Sequence, residues 1–194
     1  REAGCAILSA FYPSGHDKTR IGMIRMLKDS LEDSDGFIRC LATLLAMEEE
    51  VAATDHLFDL YIYYCIIGLG RPSPTLRALC LGMLPGLGAA SPELLLDLLP
   101  RLGAMAEEPW WEVQAQLLIV AAAIFQIVDP STPQFDAAVE LVNSALHPGA
   151  NSTVKLIGLS HIIPVLCEPS AVPGRRSEVL RDCLYILRDL SAAD

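Results

Sequence analysis

The amino-acid sequence predicts an all-α protein built from repeated pairs of helices. Apolar residues recur at helical spacing along almost the whole 194-residue chain, and strand-like alternation is nearly absent. Prolines, glycines and capping residues divide the chain into about ten helical segments. Similar short patterns also return at intervals of about 38 residues, which is typical of helical-repeat proteins.

The start signals of several helices have a physical basis. In Ser73-Pro74 and Ser91-Pro92, a hydroxyl that can cap the helix precedes a proline at the first helical position, where a missing N–H costs nothing. Ser131-Thr132-Pro133 predicts the same arrangement, and Asn151-Ser152-Thr153 fits a helix start better than a glycosylation site. The predicted helices, in chain order, are Arg1–Phe11, Lys18–Leu31, Asp35–Met47, Asp55–Leu69, Ser73–Leu87, Ser91–Met105, Pro109–Val128, Pro133–Leu146, Ser152–Cys167 and Arg176–Leu190.

The repeat becomes visible when alternate helices are aligned. An apolar residue followed by a polar one recurs with steps of 38, 37 and 41 residues. Three residues after the polar residue, the aligned position holds a small residue in three of the four helices. The four pairs are Ile38-Arg39, Leu76-Arg77, Val113-Gln114 and Val154-Lys155, and the later position holds Ala42, Cys80, Leu117 and Gly158.

This pattern resembles the HEAT-repeat (armadillo-type) family of α-solenoids. In that family the second helix of a repeat begins with an Asp-Pro-type turn, followed by Val-Arg and a small residue where the two helices touch. Asp35–Ala42 and Ser73–Arg77 match this best, and Leu98–Leu102 resembles the first-helix signature. Trp110 and Gln114 depart from it, in place of the cap and the basic residue.

The resemblance covers nearly the whole chain and implies a right-handed α-solenoid of about five HEAT-like helix pairs. The resemblance also implies that residues 1–194 form a single repeat domain. The approximate repeats are 1–11 (partial), 18–47, 55–87, 91–128 and 133–167, followed by a final helix at 176–190.

Counting back one repeat of 38 residues from Arg39 leads to Arg1, which aligns with the start of a second helix. We therefore expect the chain to be a fragment of a longer array, with the rest of that chain packing at its N-terminal end. The face around Arg1–Phe11 is then expected to be apolar and prone to association.

Composition narrows the class of protein. With 52% apolar residues the chain can bury a core, which excludes disorder, and its net charge is −10. The longest apolar run, Leu117–Phe125, is too short to span a bilayer, and no signal peptide is visible. Six cysteines without a C-x-x-C pair favour a reducing compartment, and we expect the cytoplasm. Acids outnumber bases in every third of the chain, which argues against nucleic-acid binding.

The sequence carries no recognisable catalytic, metal or cofactor motif. The glycine-rich segment Gly82–Gly88 lies in a helical pattern and lacks the lysine of a phosphate loop. Glu48–Glu50 and Glu107–Glu108 are interpreted as solvated helix ends. The histidines have no metal-ligand spacing, so a structural role is favoured for them. We therefore expect a protein that is not an enzyme and that needs no cofactor or metal.

Six residues are candidates for partner binding. Trp110 and Trp111 lie at a helix start and cannot both face one core, because neighbours differ by about 100° around a helix. One ring is therefore expected at the surface of a turn, where aromatic residues favour recognition; the alternative is that it packs on the preceding turn. Arg71 lies in another turn. The aligned bases Arg39, Arg77 and Lys155 either line a surface for acidic peptides or, as favoured here, pair with carboxylates or helix-end carbonyls of the neighbouring repeat.

The leading functional hypothesis is a non-catalytic scaffold that binds another protein along an extended surface. A second hypothesis is a regulatory or targeting arm of a larger enzyme such as a kinase. A third is similarity to the tubulin-binding TOG domains, which are short HEAT arrays; only Arg71 and the tryptophans suit that role. The acidic segment Glu32–Asp35 in the first turn has the wrong sign for tubulin.

Overall fold

The computed structural model describes residues 17–30, 34–46, 56–168 and 174–192, and these ranges contain nine α-helices. The helices are α1 (Asp17–Ser30), α2 (Ser34–Leu45), α3 (His56–Leu69), α4 (Pro74–Ala90), α5 (Pro92–Ala104), α6 (Trp111–Ile127), α7 (Pro133–Ala145), α8 (Ser152–Leu166) and α9 (Arg175–Ser191).

The all-α prediction is confirmed for these ranges, in which no strand occurs. Nine of the ten predicted helices are present with ends close to the predicted ones. The tenth, Arg1–Phe11, lies outside the described residues, as does the apolar face expected there.

Of the predicted caps at Ser73, Thr132 and Asn151, two form and one does not. The Ser73 hydroxyl accepts a hydrogen bond from the Leu76 N–H at 3.4 Å, and the Asn151 side chain accepts one from the Thr153 N–H at 2.8 Å. Thr132 occupies the cap position of α7, but its hydroxyl donates to the Asp129 carbonyl at 2.7 Å. The prediction of a hydroxyl cap at Thr132 was therefore wrong, because the preceding turn takes up the hydroxyl.

Three helices contain an interior proline: Pro85 in α4, Pro100 in α5 and Pro164 in α8. A proline there has no N–H for the carbonyl four residues earlier, and its ring crowds that carbonyl. Each of these helices nevertheless continues past its proline. The packing of the apolar face on neighbouring helices holds the local backbone in place.

Residues Arg1–Ser91 form one compact unit. Within it α3 packs on both α2 and α4, α2 also packs on α4, and α1 packs on α2 and α3. The contact between α3 and α4 is close at Gly68, where an added Cβ would lie 2.2 Å from the Cys80 sulfur. This unit buries Tyr61, Leu41, Leu76 and Leu81 almost completely.

Residues Pro92–Asp194 form the second compact unit. Its centre is α6, which packs on α5, α7 and α8, while α5 also packs on α7 and α9 packs on α8. Buried side chains occur all round α6, from Val113 to Phe125, which explains the long apolar run in the sequence. A Cβ added at Gly158 of α8 would lie 2.3 Å from Cδ1 and 2.9 Å from Cβ of Leu118. Glycine therefore allows α6 and α8 to approach closely.

None of the helices in the described ranges is both long enough and apolar enough to cross a membrane.

Candidate interaction surface

The two tryptophans stand at the start of α6, and both rings are partly exposed. Each has 41% of its surface accessible to solvent. Trp110 is the cap residue, and its side chain caps no backbone N–H. Its indole N–H instead donates to Glu112 Oε2 at 2.8 Å, which fixes the ring at the turn. Two adjacent, partly exposed tryptophans thus stand at one helix start, where they are available to a partner.

Arg71, in the turn before α4, is already engaged within its unit. Its Nη2 donates to the Ser34 hydroxyl at 2.9 Å, and its Nε lies 3.4 Å from Asp35 Oδ1. These partners are about 37 residues away in the chain, at the start of α2. Arg71 therefore links a turn to the corresponding position one sequence repeat earlier.

The aligned bases Arg39, Arg77 and Lys155 differ in their surroundings. Arg77 donates through Nη1 to the carbonyls of Arg71 and Pro72, at 2.6 and 2.8 Å. Lys155 donates to the Pro148 carbonyl at 2.9 Å. In both cases the acceptors belong to the turn directly before the base's own helix, so the two residues hold corresponding turns in the same way. Arg39 is exposed on α2, and Gln114, the polar residue at the equivalent place in α6, is buried.

Two further arginines, Arg175 and Arg176, begin α9 and were not among the sequence candidates. Arg175 pairs with Asp136 and donates to the Pro130 carbonyl at 3.1 Å, and its guanidinium lies 5.7 Å from the centre of the Phe135 ring. These partners lie 39 to 45 residues earlier in the chain. The sequence signal available for them is the Arg-Arg pair directly after Gly174, where the sequence predicts only a helix start at Arg176.

Arg176 is buried, with 8% of its surface exposed. Its Nη2 donates to the Phe125 carbonyl at 2.6 Å, at the C-terminal end of α6. A cation at this end is favoured by the partial negative charge of the unpaired carbonyls. Hydrogen bonds from Ser131 lower the pKa of the exposed Asp129 carboxyl in the next turn, and Arg176 contributes less to that shift.

Cysteines in the described ranges are thiols. Cys65 of α3 donates to the Cys80 carbonyl at 3.2 Å, and both residues are buried. The hydrogen bond with the Cys65 side chain lowers the pKa of the Cys80 thiol. Burial raises the pKa of the Cys183 thiol to about 11, so this thiol stays protonated at neutral pH.

Candidate metal ligands are not clustered in the part of the chain that the structure describes. No group of three or more histidine, cysteine or acidic residues there is arranged to hold a metal ion. His147 and His161 are exposed, and His147 Nδ1 accepts a hydrogen bond from the Gly149 N–H at 3.1 Å. His16 and Glu48–Glu50 lie outside the described residues.

Comparison with known proteins finds no matching family model, no matching curated protein and no matching solved structure.

Proposed function

We propose that this chain is a HEAT-like α-solenoid that acts as a non-catalytic scaffold and binds another protein. The observation that carries the proposal is the pair of half-exposed indoles at the start of α6. Tryptophan is enriched among the residues that dominate binding energy, since it buries a large rigid surface with few rotatable bonds.

The arrangement of the helices supports the repeat part of this proposal. In the first unit α2 contacts both the next helix and the one after it, and in the second unit α6 does the same. Contacts with the nearest and second-nearest helix are what stacked helix pairs require. The two corresponding bases, Arg77 and Lys155, also hold corresponding turns.

A TOG-like role has less support. The tubulin surface is acidic, and a domain that binds it needs available cations at its turns. Arg71 is instead paired with Asp35 and Ser34 inside its own unit.

The test is quantitative affinity capture with the wild-type chain and with a Trp110→Ala/Trp111→Ala variant. We expect the double variant to lose at least about tenfold in recovery of specific partners, since a hot-spot tryptophan contributes about 2 kcal/mol or more. Tyr185→Ala is the matched control, because Tyr185 is an aromatic residue of α9 with 58% exposure. Equal recovery by all three proteins would remove the tryptophans from the binding surface.

The chain has only two tryptophans, so its fluorescence reports on this site directly. Acrylamide should quench the emission of the unbound protein, and a bound partner should reduce that quenching. Quenching that does not change at saturating partner would contradict the proposed site.

A further inference from the structure

An open groove runs between α5 and α7 in the second unit. Its volume is about 580 Å³. The floor is apolar and consists of Leu99, Ala106 and Leu141, each at most 5% exposed. The groove is separate from the tryptophans, since neither of them lines it.

The groove exists because small or short side chains face each other across it. Pro100 and Gly103 line it from α5, and Ala137 and Ser144 line it from α7. A Cβ added at Gly103 would meet no atom within 4 Å. The two helices therefore touch at their buried residues and leave space on the outer side.

The shape suits a helical peptide better than an enclosed small molecule. Pro100, Gly103, Gln134 and Ser144 are exposed, so the groove is open along its outer side. Drug-sized ligands are usually buried on most of their surface, whereas helix-binding grooves are open and apolar. A helix of the 13 residues of α5 is about 20 Å long, which is enough for three to four turns of a docked helix.

Acidic residues border the groove. Glu140 is among its lining residues and is exposed. On α5, Glu93 and Asp97 each lie three residues before a lining residue, Leu96 and Pro100 respectively, and both carboxylates are exposed. The helix α7 contains no lysine or arginine, and α5 contains one basic residue, Arg101, beside the lining residue Pro100.

We propose that this groove binds a basic amphipathic helix of a partner protein. Apolar residues of that helix, spaced one turn apart, enter between α5 and α7, and lysines or arginines on its flanks face Glu93, Asp97 and Glu140. The inference deepens the proposed scaffold function and rests on it for the class of partner, a protein. It uses a surface different from the tryptophans.

A second copy of this chain is a poorer occupant. Two copies that each carry a net charge of −10 repel one another, and the acidic border adds to that repulsion. A basic segment is attracted by the same charges, and this attraction should weaken as salt is added.

The test uses two helix-stapled peptides of about 14 residues, both with leucines on one face. One carries lysines on its flanks, and the other carries glutamates at the same places. With the full 194-residue chain, fluorescence anisotropy should show the lysine peptide binding at least about tenfold more tightly, or about 1.4 kcal/mol. Equal binding of the two peptides, or no saturable binding of the lysine peptide, would overturn the proposal.

A variant that fills the groove tests the location. Gly103→Leu places a side chain into the open space, and replacing a helix glycine does not weaken the helix. We expect this variant to lose at least about tenfold in affinity for the lysine peptide. Gly86→Leu is the matched control, since Gly86 is also an exposed helix glycine with no atom within 4 Å of an added Cβ. Unchanged affinity of Gly103→Leu would overturn the assignment to this groove.

The tryptophan variant separates this inference from the function it extends. Trp110→Ala/Trp111→Ala should bind the lysine peptide as the wild type does. If it loses the peptide while Gly103→Leu keeps it, the groove is overturned and the tryptophan surface is supported. If the tryptophan variant still binds the lysine peptide and also recovers every partner in affinity capture, the tryptophans are not the binding surface and the groove proposal is supported.

Discussion

Arg176 and Arg175 show how single side chains fasten α9 to its unit. Arg176 places a charge in a buried position and directs it at carbonyls where α6 ends. Arg175 pairs with Asp136 at the start of α7. The polar contacts that these two arginines make with α6 and α7 thus lie at the first turn of α9. Its later residues include the exposed Leu184 and Tyr185.

Removing the Arg176 guanidinium should destabilise the protein. Arg176→Met keeps an unbranched apolar stem but leaves the Phe125 carbonyl without its charged donor. We expect a loss of about 1–3 kcal/mol in the free energy of unfolding, measured by urea titration.

Arg181→Met is the control for this change. Arg181 has 75% of its side chain exposed and lies 3.8 Å from Asp182, so its removal should cost less than about 0.5 kcal/mol. Equal stability of the two variants would mean that the carbonyls at the end of α6 do not need Arg176.

At the scale of the element, close contacts between helices depend on glycine. Gly158 lets α8 approach Leu118 of α6, and Gly68 lets α3 approach Cys80 of α4. Gly158 and Cys80 occupy the small position of the aligned repeat. The contact at Gly158 is nevertheless with α6, two helices earlier. The first helix of its own predicted pair is α7.

The glycine contact gives a prediction with a definite sign. Alanine in a helix interior is favoured over glycine by about 1 kcal/mol, so Gly86→Ala should stabilise the protein by up to that amount. Gly158→Ala should instead be destabilising by about 1 kcal/mol, since its Cβ would overlap Leu118 side-chain atoms, including the Cβ at 2.9 Å. Thermal unfolding of the two variants measures the difference, and stabilisation by both would contradict the close contact.

Helix positions could be predicted from the sequence because their signals are local. Ser73-Pro74 and Asn151 mark the starts of α4 and α8 through bonds to residues two or three positions later. The sequence predicts that α4 ends at Leu87, yet the helix continues through Gly88 to Ala90. Leu87 and Gly88 are both buried in α4, and packing outweighs the modest cost of a helix glycine.

The candidate site was only partly predictable. The tryptophan pair was found because its sequence is local and unusual. Arg176 was missed because its acceptor lies 51 residues earlier, and no local pattern reports such a contact. The groove was missed because it is formed by the absence of bulk at Gly103 and Ala137 on two helices, and small residues alone carry no directional signal.

On the scale of the whole molecule, charge is the dominant feature. A net charge of −10 is spread over a chain in which 52% of the residues are apolar. Mutual repulsion of the excess carboxylates opposes compaction, while the buried helices of each unit favour it. The same excess opposes association between copies of the protein, which matters for a molecule that presents two indoles and, on a different surface, an apolar groove.

Added salt should therefore stabilise the protein. Raising NaCl from low concentration to about 0.5 M screens the repulsion. At salt concentrations higher than about 0.1 M, the screening length is shorter than about 10 Å. We expect the midpoint of thermal unfolding to rise by about 2–4 °C, equivalent to about 1 kcal/mol for a chain of this size. A fall in the midpoint would mean that ion pairs such as Arg71–Asp35 outweigh the net repulsion.

The interior prolines have a mechanical consequence. Pro85, Pro100 and Pro164 each interrupt the hydrogen-bond ladder of a helix that otherwise continues. A helix bends most easily at such a turn, because that turn has one hydrogen bond fewer than the others. Under a pulling or bending load, α4, α5 and α8 should therefore flex at these prolines. Each of the two units thus contains at least one helix that should bend under load at an interior proline.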